Sequence, residues 1–317
     1  MTAIDTEELR FLLNRRKFLA GSAALAAVPL MPFHALAQAA AHSFKQGEAE
    51  IVVLSDGKLE IPWNIVAPEA SSEQIAEISK RLGFPATHAE GATNAVLIRS
   101  GSDMILFDDG CGPNMAPTAG KLAENMAAAG IDPAAITKVV FTHAHPDHIF
   151  GTTKGDGALL FPNAAYYIGE TEWNFWTDPG LAAKMPAQMG GMIKGAQANL
   201  AAVKERMTMV KGGAEFLPGI TALDTPGHTP GHLSFLVAGG DGLLITGDAT
   251  TQQIVSFEHP EWKFAYDAVH EQAVQTRKTL LDRAATDRTK LLGYHFIYPG
   301  VGFAEKNGTA YRFVAAG

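Results

Sequence analysis

Between Thr142 and His148 the chain reads Thr-His-Ala-His-Pro-Asp-His, directly after the run 138–141, Lys-Val-Val-Phe. A short buried-type run of this kind predicts a strand. Side chains alternate along an extended backbone, so His143 and His145 point to one side. Asp147 and His148 open the next helix, where a carboxylate also suits the positive end of the helix dipole. One loop thus offers two pairs of ligand-type residues to a common space. A lone buried histidine is ordinarily a packed, hydrogen-bonded core residue. Four such groups within six residues would leave several polar atoms to satisfy. The pattern therefore predicts a metal site at a strand end.

Further residues of the same type occur where other Gly-rich segments leave strands. The run 225–232, Thr-Pro-Gly-His-Thr-Pro-Gly-His, places His228 in a tight turn. Gly247-Asp248 follows the apolar run 243–246, and Gly293-Tyr294-His295 follows 290–292. Strand exits are where sites form in α/β sheets. Elsewhere the pattern predicts a strand over 50–54 ended by Ser55-Asp56-Gly57, and a helix over 71–82 capped by Ser71 or Ser72. It predicts helices over 116–129 and 265–284, a helical stretch over 181–210 broken at Gly190-Gly191, a strand over 220–224 and an edge strand over 311–314. Two apolar hairpins, 94–107 and 232–246, both end in an Asp beside a Gly. They read as a faint internal repeat or as two ordinary hairpins. Alternating strands and helices make the chain α/β, with no linker long or polar enough to divide residues 38–317.

The beginning of the chain reads as an address. Arg15-Arg16-Lys17 precede Phe18-Leu19, an apolar stretch runs from 19 to 30, and Ala35-Leu36-Ala37 forms a small-x-small cleavage site. These parts in this order predict a twin-arginine-type export signal over 1–37, ahead of one domain over 38–317. The expected location is the periplasm or the outside. Pro29, Pro32 and the shortness of the apolar run speak against a membrane span, so no stable insertion is expected after cleavage. A hydrophobic share of 47% against 18% charged residues excludes a disordered chain. The formal charge is −8, and residues 1–37 hold four basic and three acidic residues, which leaves the remainder at −9. That balance excludes nucleic-acid binding by counterion release. Cys111 is the single cysteine, so no internal disulfide forms, and it reads as a small packed residue.

The spacing His-x-His-x-Asp-His, then His, Asp and His, resembles the metallo-β-lactamase superfamily over about residues 50–315. The resemblance implies an αββα four-layer sandwich, two mixed β-sheets flanked by helices, with the site along one edge. Carried over residue by residue, it implies a first metal site of His143, His145 and His228, a second of Asp147, His148 and His295, and Asp248 as the bridge. The donors suit two divalent ions, zinc foremost, with manganese, cobalt or iron accepted as well. A hydroxide between such ions is the expected nucleophile towards a carbonyl carbon or a phosphorus. Asp147 would pass a proton to the leaving group while ligating. The segments 160–164, Phe175-Trp176, 295–302 and 311–314 resemble the methyl parathion hydrolase branch, near the quorum-quenching lactonases. An exported hydrolase of a small ester-like substrate, a lactone or an organophosphate triester, follows as the expectation. The alternatives are a periplasmic β-lactamase, for which a bridging Asp is atypical, and a mononuclear iron oxygenase acting on persulfides, separable by ion count. A binding module that kept the fold is opposed by the complete ligand set, and an RNA phosphodiesterase by the charge. A homodimer would be a family habit.

Other residues carry open expectations. Asp108 or Asp109 either orients a ligand histidine or forms a turn. Phe150, Trp173, Phe175 and Trp176 either line an apolar pocket mouth or pack in the core. The Met-rich stretch 185–209 is either an adaptable lid or a packed surface helix. Tyr294 and Tyr298 are candidate donors to a bound oxyanion. His88, His232, His259 and His270 fall outside the pattern.

Overall fold

Neighbouring residues along the central strands face opposite ways, and both faces are apolar. In the computed structural model, which describes residues 41–316, Ile51 and Val53 join one core cluster while Val52 and Leu54 join another. The same split separates Val96 and Ile98 from Ala95 and Leu97, and Leu243 and Ile245 from Leu244. A strand buried on both faces must lie in a middle layer. The predicted export signal at 1–37 lies outside the described residues.

Two seven-stranded sheets result. The first runs in chain order as β1 (Ala41–Gln46), β2 (Ala49–Pro62), β3 (His88–Ser100), β4 (Asp103–Phe107), β5 (Lys138–Val140), β6 (Ala165–Gly169) and β7 (Met207–Val210). The second holds β8 (Glu215–Leu217), β9 (Ile220–Asp224), β10 (Leu233–Val237), β11 (Leu243–Ile245), β12 (Lys290–Leu292), β13 (Val301–Asn307) and β14 (Ala310–Ala315), from β14 at one edge to β8 at the other. Strands β4 to β7 run parallel, as do β11 and β12, and the remaining neighbours are antiparallel. Phe107, Val140, Phe235, Ile245 and Leu292 fill the space between the sheets. Met126, Ile193, Leu200 and Trp176 cover the outer face of the first sheet, and Phe257, Leu280 and Leu281 that of the second. This is the expected αββα arrangement. The two expected hairpins are β3–β4 and β10–β11, and each second strand then takes a parallel neighbour, β5 or β12.

Several elements differ from expectation. Strand β2 does not stop at Ser55-Asp56-Gly57 but passes through it with a bulge. There the Asp56 carboxylate accepts the amides of Cys111, Gly120 and Leu122. Those bonds hold 116–121 outside the helix, which spans only Leu122–Ala128. Residues 207–210 lie outside the expected helical stretch: they form β7, pairing with Tyr166–Gly169 of β6, an edge that suits the β-branched Thr208 and Val210. The helix Gly190–Val203 begins at the glycine pair rather than breaking there. Met185, Met189, Met192 and Met207 pack on the core beneath the first sheet, as do Phe150, Trp173 and Phe175. The last long helix is His270–Asp287, leaving 265–269 as a strap. Among the described residues no helix is long and apolar enough to cross a membrane.

Candidate metal centre

The ends of β4, β5, β11 and β12 and the β9–β10 connection meet at one edge of the sandwich. All seven residues singled out for metal binding converge there. Three groups place their ligand atoms within 4.8 Å of one another: His143, His145 and His228; His143, His148 and Asp248; Asp147, His148 and His295. The His145 Nδ1 lies 2.9 Å from His143 Nε2 and 2.8 Å from His228 Nε2. Asp248 Oδ2 stands between the groups, 3.2 Å from His228 Nε2 and 3.4 Å from His295 Nε2. Asp147 Oδ2 is 3.2 Å from His295 Nε2 and 3.5 Å from His148 Nε2.

The outward ring atoms are tied down, which decides what the inward ones offer. His148 Nδ1 donates to Asp108 Oδ2 at 2.8 Å, His228 Nδ1 to Asp267 Oδ1 at 3.0 Å and His295 Nδ1 to the Ala92 carbonyl at 2.8 Å. Each therefore turns Nε2 to the centre, while His145 turns Nδ1. Of the two aspartates left open, Asp108 is the one that orients a ligand-type histidine. Its carboxylate also accepts the Thr142 amide and hydroxyl, and these bonds hold it at φ +57°, a region that costs a non-glycine residue about 1 kcal/mol or more. Asp109 turns away to Thr152.

The turn with His228 is shaped by Gly227, whose φ is +129° and whose Cβ would fall 2.2 Å from the Ala273 nitrogen. No side chain fits between this turn and the His270–Asp287 helix. The 265–269 strap completes the contact, with Ala268 and Val269 donating to the His228 and Gly227 carbonyls. Arg277, buried on that helix, donates to the Asp267 Oδ2 and so holds the partner of His228.

Three residues behave otherwise than expected. The Tyr294 hydroxyl is buried, donates to the Asp147 carbonyl at 2.6 Å, and its ring stacks on His148 at 4.0 Å. It braces the site instead of facing a substrate. Tyr298 donates to the Val53 carbonyl. His232, outside the expected pattern, accepts the Asp248 amide through Nε2 at 2.9 Å. Its Nδ1 then donates to Thr225 Oγ1 at 2.8 Å, which fixes the tautomer. The second histidine of the 225–232 run was its signal in the sequence.

Electrostatics and hydrogen bonding test whether these residues fit a cation. Burial pushes His143 well down and His145 to about 3, so both keep free lone pairs at neutral pH. Burial also lowers His148, His228 and His295, but the carboxylates around them outweigh it. His148 is drawn well up, His228 to about 9 and His295 to about 10. With Nδ1 donating to Asp108, a neutral His148 turns the lone pair of Nε2 towards Asp248 Oδ1, 3.4 Å away. Both atoms are buried without a hydrogen-bond partner. Two facing acceptors demand a positive charge between them. An imidazole and carboxylate donor set with that demand fits a divalent cation of the zinc type.

The model of the family described as the metallo-beta-lactamase superfamily matches residues 88–295. Among solved structures, the chain is 25% identical to AidC, a dizinc quorum-quenching lactonase in complex with a product N-hexanoyl-L-homoserine. The TM-score is 0.82, over 87% of this chain and 97% of that one. It is 28% identical to AbOPH, a hydrolase in the beta lactamase superfamily, with a TM-score of 0.82 and the same coverage. The N-acyl homoserine lactonase AttM of Agrobacterium fabrum (strain C58 / ATCC 33970) is 31% identical over 138 residues, 40% of this chain and 46% of that protein. The matches span about two thirds or less of the length of the curated relatives.

Proposed function

The chain belongs to the metallo-beta-lactamase superfamily, and from that premise we propose that it is a dinuclear metal-dependent hydrolase of a small ester-like substrate, a lactone or an organophosphate triester. The placement of Asp248 carries this reading: one carboxylate reaches towards both His228 of one three-residue group and His295 of the other. His143, His145 and His228 would hold one ion, and Asp147, His148 and His295 the second, with Asp248 shared. Two divalent ions in such a site supply an attacking water of lowered pKa and a Lewis acid for the substrate oxygen. A complete second group favours two ions over the single iron of the oxygenase alternative.

The chain's own residues do the rest. Asp147 is the more open of the two inner carboxylates, its side chain 13% exposed against 5% for Asp248. The pull of His148 and His295 outweighs burial and holds it at about 2, so it is ionised at neutral pH and suited to hold an ion. As the inner carboxylate nearest to solvent it would also be the group placed to relay a proton to the leaving oxygen. Trp176 stands edge-on to His145 at 5.6 Å and Phe264 lies 5.8 Å from His228. Ile61 adjoins the His295 side beside Gly91. Trp176 and Phe264 are buried, so they exclude water from behind these histidines. The net charge of −8 disfavours a polyanionic substrate such as a phosphodiester chain. The likeness to AidC and to AttM supports a lactone, and the resemblance of 295–302 to methyl parathion hydrolase supports the triester.

The test is turnover of zinc-loaded protein on an N-acyl homoserine lactone, a paraoxon-type triester and a chromogenic β-lactam. Hydrolysis of the first or second is expected. Cleavage of the β-lactam alone would replace the reading with that of a β-lactamase, and inertness towards all three would sink it.

Export belongs to the same proposal. The twin arginines at 15 and 16 would carry the folded, metal-loaded protein out of the cytoplasm. Changing Arg15 and Arg16 together to lysine is expected to keep the protein in the cytoplasmic fraction, with the 1–37 segment uncleaved. An unchanged distribution on cell fractionation would remove the twin-arginine assignment.

A further inference from the structure

Glu172 lies on the helix Glu170–Trp176 that follows β6, where a glutamate is ordinarily solvent-facing. Here it is 0% exposed. A buried carboxylate is tolerated only where donors replace its lost water, and Glu172 has four. Its Oε1 accepts the Ala144 amide at 3.0 Å and the Trp176 indole N–H at 2.7 Å. Its Oε2 accepts the Thr229 hydroxyl at 2.8 Å and the Gly231 amide at 3.0 Å.

The origin of these donors is the informative part. Ala144 sits between His143 and His145 on a loop of the first sheet. Thr229 follows His228 on the β9–β10 connection of the second. The three histidines of the first expected ion site thus come from two loops, and one carboxylate grips both from behind. Gly231 permits this approach, since a Cβ there would lie 2.1 Å from the Glu172 nitrogen. Oε1 also ties Trp176, whose buried ring stands edge-on to His145, so the same group fixes the packing behind that histidine.

We propose that Glu172 is a positioning residue that sets the spacing of His143 and His145 against His228, and thereby the affinity of the ion those three hold. The proposal rests on the two-ion reading above. A core staple with no such role would also be buried and bonded. It would not act on one ion and spare the other.

Three of the four partners, the Ala144, Trp176 and Gly231 N–H groups, only donate. An amide in place of the carboxylate has one accepting oxygen, so whichever way it turns, its NH2 meets at least one of them. The cheaper orientation releases Gly231 and loosens the His228 turn. In Glu172→Gln the affinity for one of two ions is therefore expected to fall about 10- to 100-fold, the usual effect of losing an outer partner of a metal ligand. The other ion keeps its parental affinity. Thr229→Val, which removes one donor, gives a smaller loss in the same direction and carries the test if the first variant does not fold.

The measurement is zinc affinity by chelator competition on the full chain, with ions per chain counted after dialysis and melting of the metal-free forms recorded alongside. Selective weakening of one ion, with metal-free melting like that of the parent, supports the proposal. A parent that holds two ions beside variants that hold both at parental affinity overturns it, and metal-free variants that melt far lower while doing so assign Glu172 to the fold alone. A parent that binds no divalent ion overturns the two-ion reading and the proposal with it.

Discussion

Replacing Asp248 with asparagine is expected to lower turnover on the order of a thousandfold and to remove at least one of two bound ions. The substitution is isosteric, and the backbone bond from the residue-248 amide to His232 Nε2 is untouched, so the Gly247–Ala249 turn persists. What changes is the donor set. Oδ1 faces His148 at 3.4 Å, and Oδ2 faces both His228 and His295. An amide nitrogen has no lone pair for a cation, so either orientation of the new side chain blinds one of these two positions. The negative charge common to both groups is lost as well. The charge stabilisation supplied by a bound ion amounts to several kcal/mol, and at about 1.4 kcal/mol per tenfold this gives the expected rate loss. Elemental analysis and the ester panel on purified Asp248→Asn check the two halves separately. Full activity with two ions retained would show that Asp248 is not shared between sites.

Legibility in the sequence followed contiguity. His143, His145, Asp147 and His148 are neighbours in one loop, so their common direction could be read from strand alternation. His228, Asp248 and His295 each carry a glycine-marked strand exit. The residues that hold these ligands are marked less well. Asp108 stands at the Gly110-marked exit of β4 and reads as one of two candidates to orient a histidine, but its partner His148 lies 40 positions away. Asp267 meets His228 from 39 positions away and reads alone as a surface acid. Glu172 reads as a helix-face glutamate until Ala144 and Gly231 are seen to close on it. The strands were legible as apolar runs, but burial of both faces hid their ends. Strand β2 runs through an apparent stop because its neighbour β3 continues to pair beyond the Gly57 bulge. Strand β7 follows a helical stretch closely, and its β-branched Thr208 and Val210 are the only local mark of the edge it fills beside β6.

Exhaustive removal of metal is expected to lower the melting temperature by about 10 °C per ion while leaving a cooperative, inactive fold. The cores do not depend on the site, since Phe107, Val140, Phe235 and Ile245 pack between the sheets without it. The site itself does depend on positive charge, because Asp108, Asp147, Asp248 and Asp267 are all buried beside the histidines. An ion bound only by the folded chain adds about 4 kcal/mol when its free concentration is roughly a thousand times its dissociation constant. For a domain of this size each kcal/mol moves the midpoint by about 2–4 °C, which gives the expected shift. The midpoint must then climb with the logarithm of free zinc, and calorimetry in a graded series of zinc buffers reads that slope. In Asp248→Asn the slope is expected to fall to that of a single ion, which separates metal linkage from general loss of packing. A midpoint indifferent to free zinc in the parent chain would show that the folded state holds no ion at this centre.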